Sequence, residues 1–122
     1  MTVTTEDGGR TNMFAKGPQI KVVAWAAGIF EGEGSINIIP NRPSCASLQV
    51  SMTDLDILER LQDIFGGYIY TKQKQKPHHK QGWTWQMSRK ADVYATLEKL
   101  LPWFGERRSF RALNVLDHLD RI

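Results

Sequence analysis

A chain of 122 residues, 41% hydrophobic and 10% aromatic, can bury one compact core and is too short for two. Sixteen Lys and Arg against thirteen Asp and Glu leave a formal charge of +3, which is compatible with a nucleic-acid partner and does not by itself demand one. The lone Cys45 excludes an intrachain disulfide and a cysteine-based metal set, as in an intracellular protein with reduced thiols.

Met1 to Arg10 is polar and acidic, with no basic segment leading into an apolar one, so no secretory signal is expected. Residues 1–17 read as a disordered leader in which Met13 offers an alternative start, and 18–122 as a single domain. The longest apolar run, Val22 to Phe30, is about half of a bilayer span, so no transmembrane helix and no membrane partner are expected.

The periodicities then alternate. Ile20 to Phe30 has helical spacing, and Ser35 to Pro40 reads as a strand with Ile36 and Ile38 on one face and Asn37 and Ile39 on the other. After a turn at Asn41-Arg42-Pro43-Ser44, Cys45 to Met52 alternates again, with Ala46, Leu48, Val50 and Met52 inward and Cys45, Ser47, Gln49 and Ser51 outward. Thr53-Asp54 is placed to cap a helix carrying Leu55, Leu58, Leu61, Ile64 and Phe65, which Gly66-Gly67 closes. A second hairpin follows. Tyr68 to Gln75 and Gly82 to Ser88 flank the loop Lys76-Pro77-His78-His79-Lys80, with Trp83, Trp85 and Met87 inward and Thr84 and Gln86 outward. The histidine pair is a weak metal signal in a lysine-rich turn. Helices at about Lys90–Leu101 and Glu106–Ile122 complete the chain. The order describes an α+β fold in which an αββ unit occurs twice, with a four-stranded antiparallel sheet covered by helices on one face and open on the other. No sequence-level repeat accompanies that duplication.

Two features exceed what folding alone requires. At the end of the first helix, Glu31-Gly32-Glu33-Gly34 sets two carboxylates at the negative end of the macrodipole, where each is disfavoured by roughly 0.3–1 kcal/mol. A bound cation would reverse that sign. In addition, the stretches Gly34 to Thr53 and Ile64 to Ala91 hold both hairpins and no Asp or Glu, while Arg42, Lys72, Lys74, Lys76, Lys80, Arg89 and Lys90 fall within them. An ordinary wet sheet face carries mixed signs. An acid-free face of Asn, Ser, Gln, Thr, Tyr and Lys offers donors and acceptors for base edges and cations for phosphates.

The segment Ala26-Ala27-Gly28-Ile29-Phe30-Glu31-Gly32-Glu33-Gly34 resembles the LAGLIDADG motif of homing endonucleases. Ala27, Gly28 and Gly34 match its letters, and Glu stands in both acidic places. Gly34-Ser35-Ile36 opening a strand, the Leu61 to Gly67 helix end, Leu100-Leu101-Pro102 before the last helix and the αββαββα order extend the resemblance from about Gln19 to about Leu119.

The resemblance to single-motif members implies a homodimeric, Mg²⁺-dependent, site-specific double-strand DNA endonuclease of the kind associated with intron or intein mobility, with no small-molecule substrate. It implies that Glu33 ligates the divalent metal together with the Gly32 carbonyl. Glu31 is then mainly structural. It also implies a basic residue near the start of the last helix, Arg107 with Arg108 as fallback, and a polar residue near the end of the second strand. There the positional equivalent is near Met52, and Gln49 and Ser51 are its polar neighbours, so Gln49 is taken for that role. Ala24, Gly28 and Gly32 recur every four residues on one helix face, and the resemblance makes them the dimer contact. The DNA-facing set is Asn37, Ile39, Asn41, Arg42, Ser47, Gln49, Tyr70, Lys72, Lys74, Lys76, Thr84 and Gln86. Two other readings stand beside it. One is a degenerate member that binds DNA or RNA without cutting, as a maturase-like protein or regulator; the other is a small interaction module with no nucleic-acid partner.

Overall fold

The computed structural model describes residues 20–42, 45–73 and 76–121. The leader 1–17, Met13, the Pro43-Ser44 half of the first turn and Lys74 lie outside the described residues. In order the chain forms α1 (Ile20–Glu33), β1 (Gly34–Ile38), β2 (Ala46–Met52), α2 (Leu55–Phe65), β3 (Tyr68–Lys72), β4 (Gly82–Met87), α3 (Lys90–Leu100), a 3₁₀ turn (Leu101–Trp103) and α4 (Glu106–Asp120). The sheet is wholly antiparallel in the order β1-β2-β4-β3. The two hairpins thus meet through β2 and β4. Among the described residues no helix is long and apolar enough to cross a membrane.

The core forms where the inward strand residues meet the helices. Ile36, Leu48, Val50, Trp85 and Met87 from the strands pack with Phe30, Leu58, Leu61, Ile64, Val93, Leu97 and Leu116 from the helices. Phe30 and Trp85 sit at its centre, edge to face with ring centroids 5.7 Å apart. The buried indole N–H of Trp85 donates to the carbonyl of Gly66 at 2.8 Å, which satisfies the one polar atom that ring brings inside. Gly66 and Gly67 both have positive φ, 85° and 87°. A Cβ on Gly67 would lie 2.7 Å from the carbonyl oxygen of Gln86, so this turn takes glycine for two reasons.

Several local details differ from the sequence expectation. Helix α1 continues three residues past Phe30 because its last turn is held from outside: the guanidinium of Arg108 on α4 donates to the carbonyls of Glu31 (3.1 Å) and Gly34 (2.7 Å). Those groups lie at the helix end, where no intrahelical N–H reaches and a cation is favoured. Asp54 precedes α2 without a side-chain capping bond; its carbonyl instead accepts from the N–H of Ile57 at 3.1 Å. Strand β3 stops at Lys72 because its partner β4 begins at Gly82, and the Gln81 amide donates to the carbonyls of both Lys72 and Gly82 at 2.8 Å. Lys76 lies in the connection between the strands, where the loop was expected. The expected last helix ends at Asp120.

Helix α4 also protects the sheet edge. Strand β1 is an edge strand whose outward carbonyls would otherwise invite another chain. Arg108 takes that of Gly34, and Arg111 Nε donates to that of Ile36 at 2.9 Å, so three residues along α4 match two along β1. Arg108→Met removes two charge-assisted bonds from a residue only 9% exposed and is expected to lower unfolding stability by about 2–4 kcal/mol in urea titrations, whereas Arg107→Met leaves it nearly unchanged. Gly34→Ala would bring a Cβ within 2.9 Å of Phe30 backbone atoms and is expected to cost about 1–3 kcal/mol in the same assay.

Candidate nucleic-acid interface and metal site

Helix α1 delivers two carboxylates to one end of the sheet, and the fold gives them different surroundings. Glu31 turns toward α4: its Oε2 accepts the backbone N–H of Gly105, the residue that caps α4, at 2.5 Å. A carboxylate at that helix start is favourable both as a hydrogen-bond acceptor and against the macrodipole. Folding therefore explains Glu31. Glu33, two residues on, is exposed and makes no hydrogen bond or ion pair within the described residues. Its oxygens and the helix-end carbonyl of Gly32 are hard donors of the kind that suit a divalent cation. Among the described residues there is no group of three or more His, Cys, Asp or Glu that could hold a metal ion. His78 and His79 pack ring against ring, 4.8 Å between centroids, without a third ligating side chain.

The two arginines divide in the same way. Arg108 is buried and spent on the backbone of α1 and β1, while Arg107 is exposed on the first turn of α4. It shares a groove of about 440 Å³ between α4 and β1 with Ser35, Asn37 and Arg111. No periodicity distinguishes Arg107 from Arg108; only the side of the helix that meets β1 does.

The register places the outward residues in rows across the free face: Asn37 with Ser47, then Ser35, Gln49, Gln86 and Tyr68, then Ser51, Thr84 and Tyr70, and finally Lys72. No carboxylate lies in these rows. They differ from a set of free readers. Gln49 donates its amide to Gln86 Oε1 at 2.8 Å, Tyr70 donates its hydroxyl to the same oxygen at 3.0 Å, and the Ser51 and Thr84 hydroxyls are 2.8 Å apart. Ser47 and Thr84 are only 7% and 4% exposed, because short side chains on the two central strands lie below their neighbours. Asn37, Asn41, Arg42, Tyr70, Lys72 and Lys76 are the exposed members of the expected set, and Ile39 is half-buried beside the hairpin turn.

The end of β2 also differs from expectation. Met52 pairs with Trp83 on the helix-facing side and packs against the core. Gln49 stands opposite Ser35, one rung inside the sheet and committed to Gln86. Ser51, one step beyond the Gly34–Val50 pair, is the outward polar side chain of β2 nearest the start of β1, and hence Glu33.

No protein-family model matches the chain, and no curated protein sequence does. Solved structures do match. The homing endonuclease I-CvuI in complex with its target, determined in the presence of Ca, aligns with a TM-score of 0.63 and 24% identity over 81% of this chain and 66% of that one. The same endonuclease on a different target, in the presence of Mg and with the DNA not cleaved, aligns at 0.61 with 25% identity over 80% and 65%. The homing endonuclease I-TnaI aligns at 0.62 with 13% identity over 81% and 74%. The chain thus spans just under two thirds of the length of the I-CvuI chains. With the nonapeptide closing α1, the αββαββα order and these matches over about four fifths of the chain, the chain has the fold of the LAGLIDADG homing endonucleases.

Proposed function

We propose that this chain is a homodimeric, metal-dependent, site-specific DNA endonuclease that cuts both strands of a long pseudo-palindromic duplex. The observation that carries the reading is the pairing of an exposed carboxylate with no folding role, Glu33, with an acid-free polar sheet face at whose edge it stands. The likeness to homing endonucleases bound to DNA supports it.

The free face is suited to a major groove. Exposed Asn37, Asn41 and Tyr70 offer donors and acceptors to base edges, and Arg42, Lys72 and Lys76 offer charge to phosphates. The Gln49–Gln86–Tyr70 network holds side chains in fixed rotamers, so less conformational entropy is lost when bases replace water. One chain offers a single carboxylate at Glu33 and the Gly32 carbonyl, too few for a complete shell. Both from a second copy, together with phosphate oxygens, would supply the rest for Mg²⁺. When bound there, the cation supplies charge that stabilises the phosphorane-like transition state and lowers the pKa of a water nucleophile. Arg107 holds a permanent positive charge at the same junction and would neutralise phosphate charge from the groove beside Ser35.

The dimer reading rests on glycines that the single chain does not require. Gly28 and Gly32 lie within α1, and a Cβ added to either would meet nothing within 4 Å. Each costs about 1 kcal/mol of helix stability relative to Ala. With Ala24 they form a row along which the backbone of a second α1 can approach closely. A non-cleaving binder on the same fold is the second reading, favoured by one observation: the residue at the end of β2 is Met52, packed on the core.

Glu33→Gln is expected to lower Mg²⁺-dependent cleavage by about 10²–10³-fold while duplex binding, followed by fluorescence anisotropy, persists; unchanged cleavage would remove Glu33 from the chemistry. Gly28→Leu has room within its own chain, so it is expected to retain far-UV circular dichroism and sediment as a monomer. A dimer of unchanged affinity would show that α1 is not the interface.

A further inference from the structure

The groove between α4 and β1 carries more positive charge than the proposed chemistry uses. Arg107, Arg108 and Arg111 all line its volume of about 440 Å³, with no carboxylate among the lining residues. None of the three is in an ion pair among the described residues, where the salt bridges are Arg89–Asp92 and Arg121–Asp117.

The edge strand sets their spacing. Arg108 donates to the Gly34 carbonyl at 2.7 Å, and Arg111 Nε to the Ile36 carbonyl at 2.9 Å. Carbonyls two residues apart along a strand are separated by about 7 Å, so the two guanidiniums are pinned along one edge at about that distance. Arg107 lies one turn before Arg111 on the same side of α4, where Cβ atoms are about 6 Å apart. Like charges held this close repel unless an anion lies among them. Their hydrogen bonding is incomplete as well. Arg108 is only 9% exposed, yet its Nε–H is buried without an acceptor, the one such side-chain atom among the described residues. A buried donor and charge left unmatched are costly, and an anion in the groove offsets that cost. Arg111, bonded through Nε, keeps both terminal amino groups for a forked contact.

Two observations identify the anion. Ser35 lines the groove two residues beyond Glu33, so the groove opens where the proposed hydrolysis takes place. In that step water adds to phosphorus, one P–O ester bond breaks, and the departing oxygen takes a proton, leaving a hydroxyl and a terminal phosphomonoester. The monoester carries about 1.5 to 2 negative charges at neutral pH, against about one for an intact diester, so clustered guanidiniums favour it. The second observation is Phe110, which is 68% exposed and also lines the groove. Bases in a duplex stack on one another, whereas an unpaired base beside a strand end has a face free for an aromatic ring. We infer that this groove holds the phosphorylated end of a cut strand, with Arg107 and Arg111 on the phosphate, the charge of Arg108 beside them and Phe110 against the adjoining base. The inference rests on the endonuclease reading above and adds a product site to it.

The test uses the full chain and an eight-nucleotide single strand, dye-labelled at one end and bearing phosphate or hydroxyl at the other, in both strand polarities. Fluorescence anisotropy is expected to show the phosphorylated form binding about ten-fold tighter in at least one polarity. Arg111→Gln is expected to reduce that ratio to about two-fold, Arg111→Lys to retain part of it, and Phe110→Ala to weaken both forms alike, with far-UV circular dichroism unchanged in all three. Equal affinity for phosphate and hydroxyl ends, with intact duplex still bound, would overturn the product site alone. Inorganic phosphate or a deoxynucleoside monophosphate competing as tightly as the strand end would assign the groove to a free anion and overturn the inference. Failure to bind intact duplex even at low salt would overturn the DNA reading and this inference with it.

Discussion

Everything near the candidate site depends on how the end of α1 is tied down. Within four residues the chain changes from helix to edge strand, a junction that leaves helix carbonyls without intrahelical partners and a strand edge without a neighbour. One buried guanidinium, that of Arg108, answers both by bridging the carbonyls of Glu31 and Gly34. Glu31 returns the contact by capping the helix that carries Arg108, through the N–H of Gly105. The packing of Phe30 over Gly34 leaves no room for a Cβ at the corner. These contacts lock α1, β1 and α4 into one rigid unit, and Glu33 is the residue that unit pushes into solvent.

Adjacent like residues in this chain therefore do opposite things. Glu31 stabilises the fold and Glu33 does not; Arg108 is consumed by backbone carbonyls and Arg107 faces outward. The backbone that carries the exposed Glu33 is thereby anchored at both of its flanking elements, α1 and β1, while its side chain stays free of any folding contact. The sheet face shows the same economy. Its central Gln and hydroxyl side chains bond to one another first, and the exposed Asn, Tyr and Lys groups project from that stiff layer.

Much of this was legible in the sequence. Alternating apolar residues in Ala46 to Met52 and Gly82 to Met87 fixed both central strands, and Leu55, Leu58, Leu61, Ile64 and Phe65 fixed α2, because one-sided burial imposes a period that local sequence carries. The nonapeptide and the acid-free hairpins marked the end of α1 and the free face. Part of what stayed hidden depends on contacts between residues more than seventy positions apart. The extension of α1 to Glu33, the structural use of Arg108 and Arg111, and the capping role of Glu31 come from α4 docking on the β1 edge. The commitment of Gln49 to Gln86 and the early end of β3 follow from cross-strand register, which alternation alone leaves open.

The most direct measurement is selection of cleaved molecules from a randomised duplex library in the presence of Mg²⁺. The proposed homodimer, with Glu33 contributed by each chain, is expected to enrich a single pseudo-palindromic sequence cut once on each strand. Recovery of bound but uncut duplexes, or of cut sites without two-fold symmetry, would contradict it.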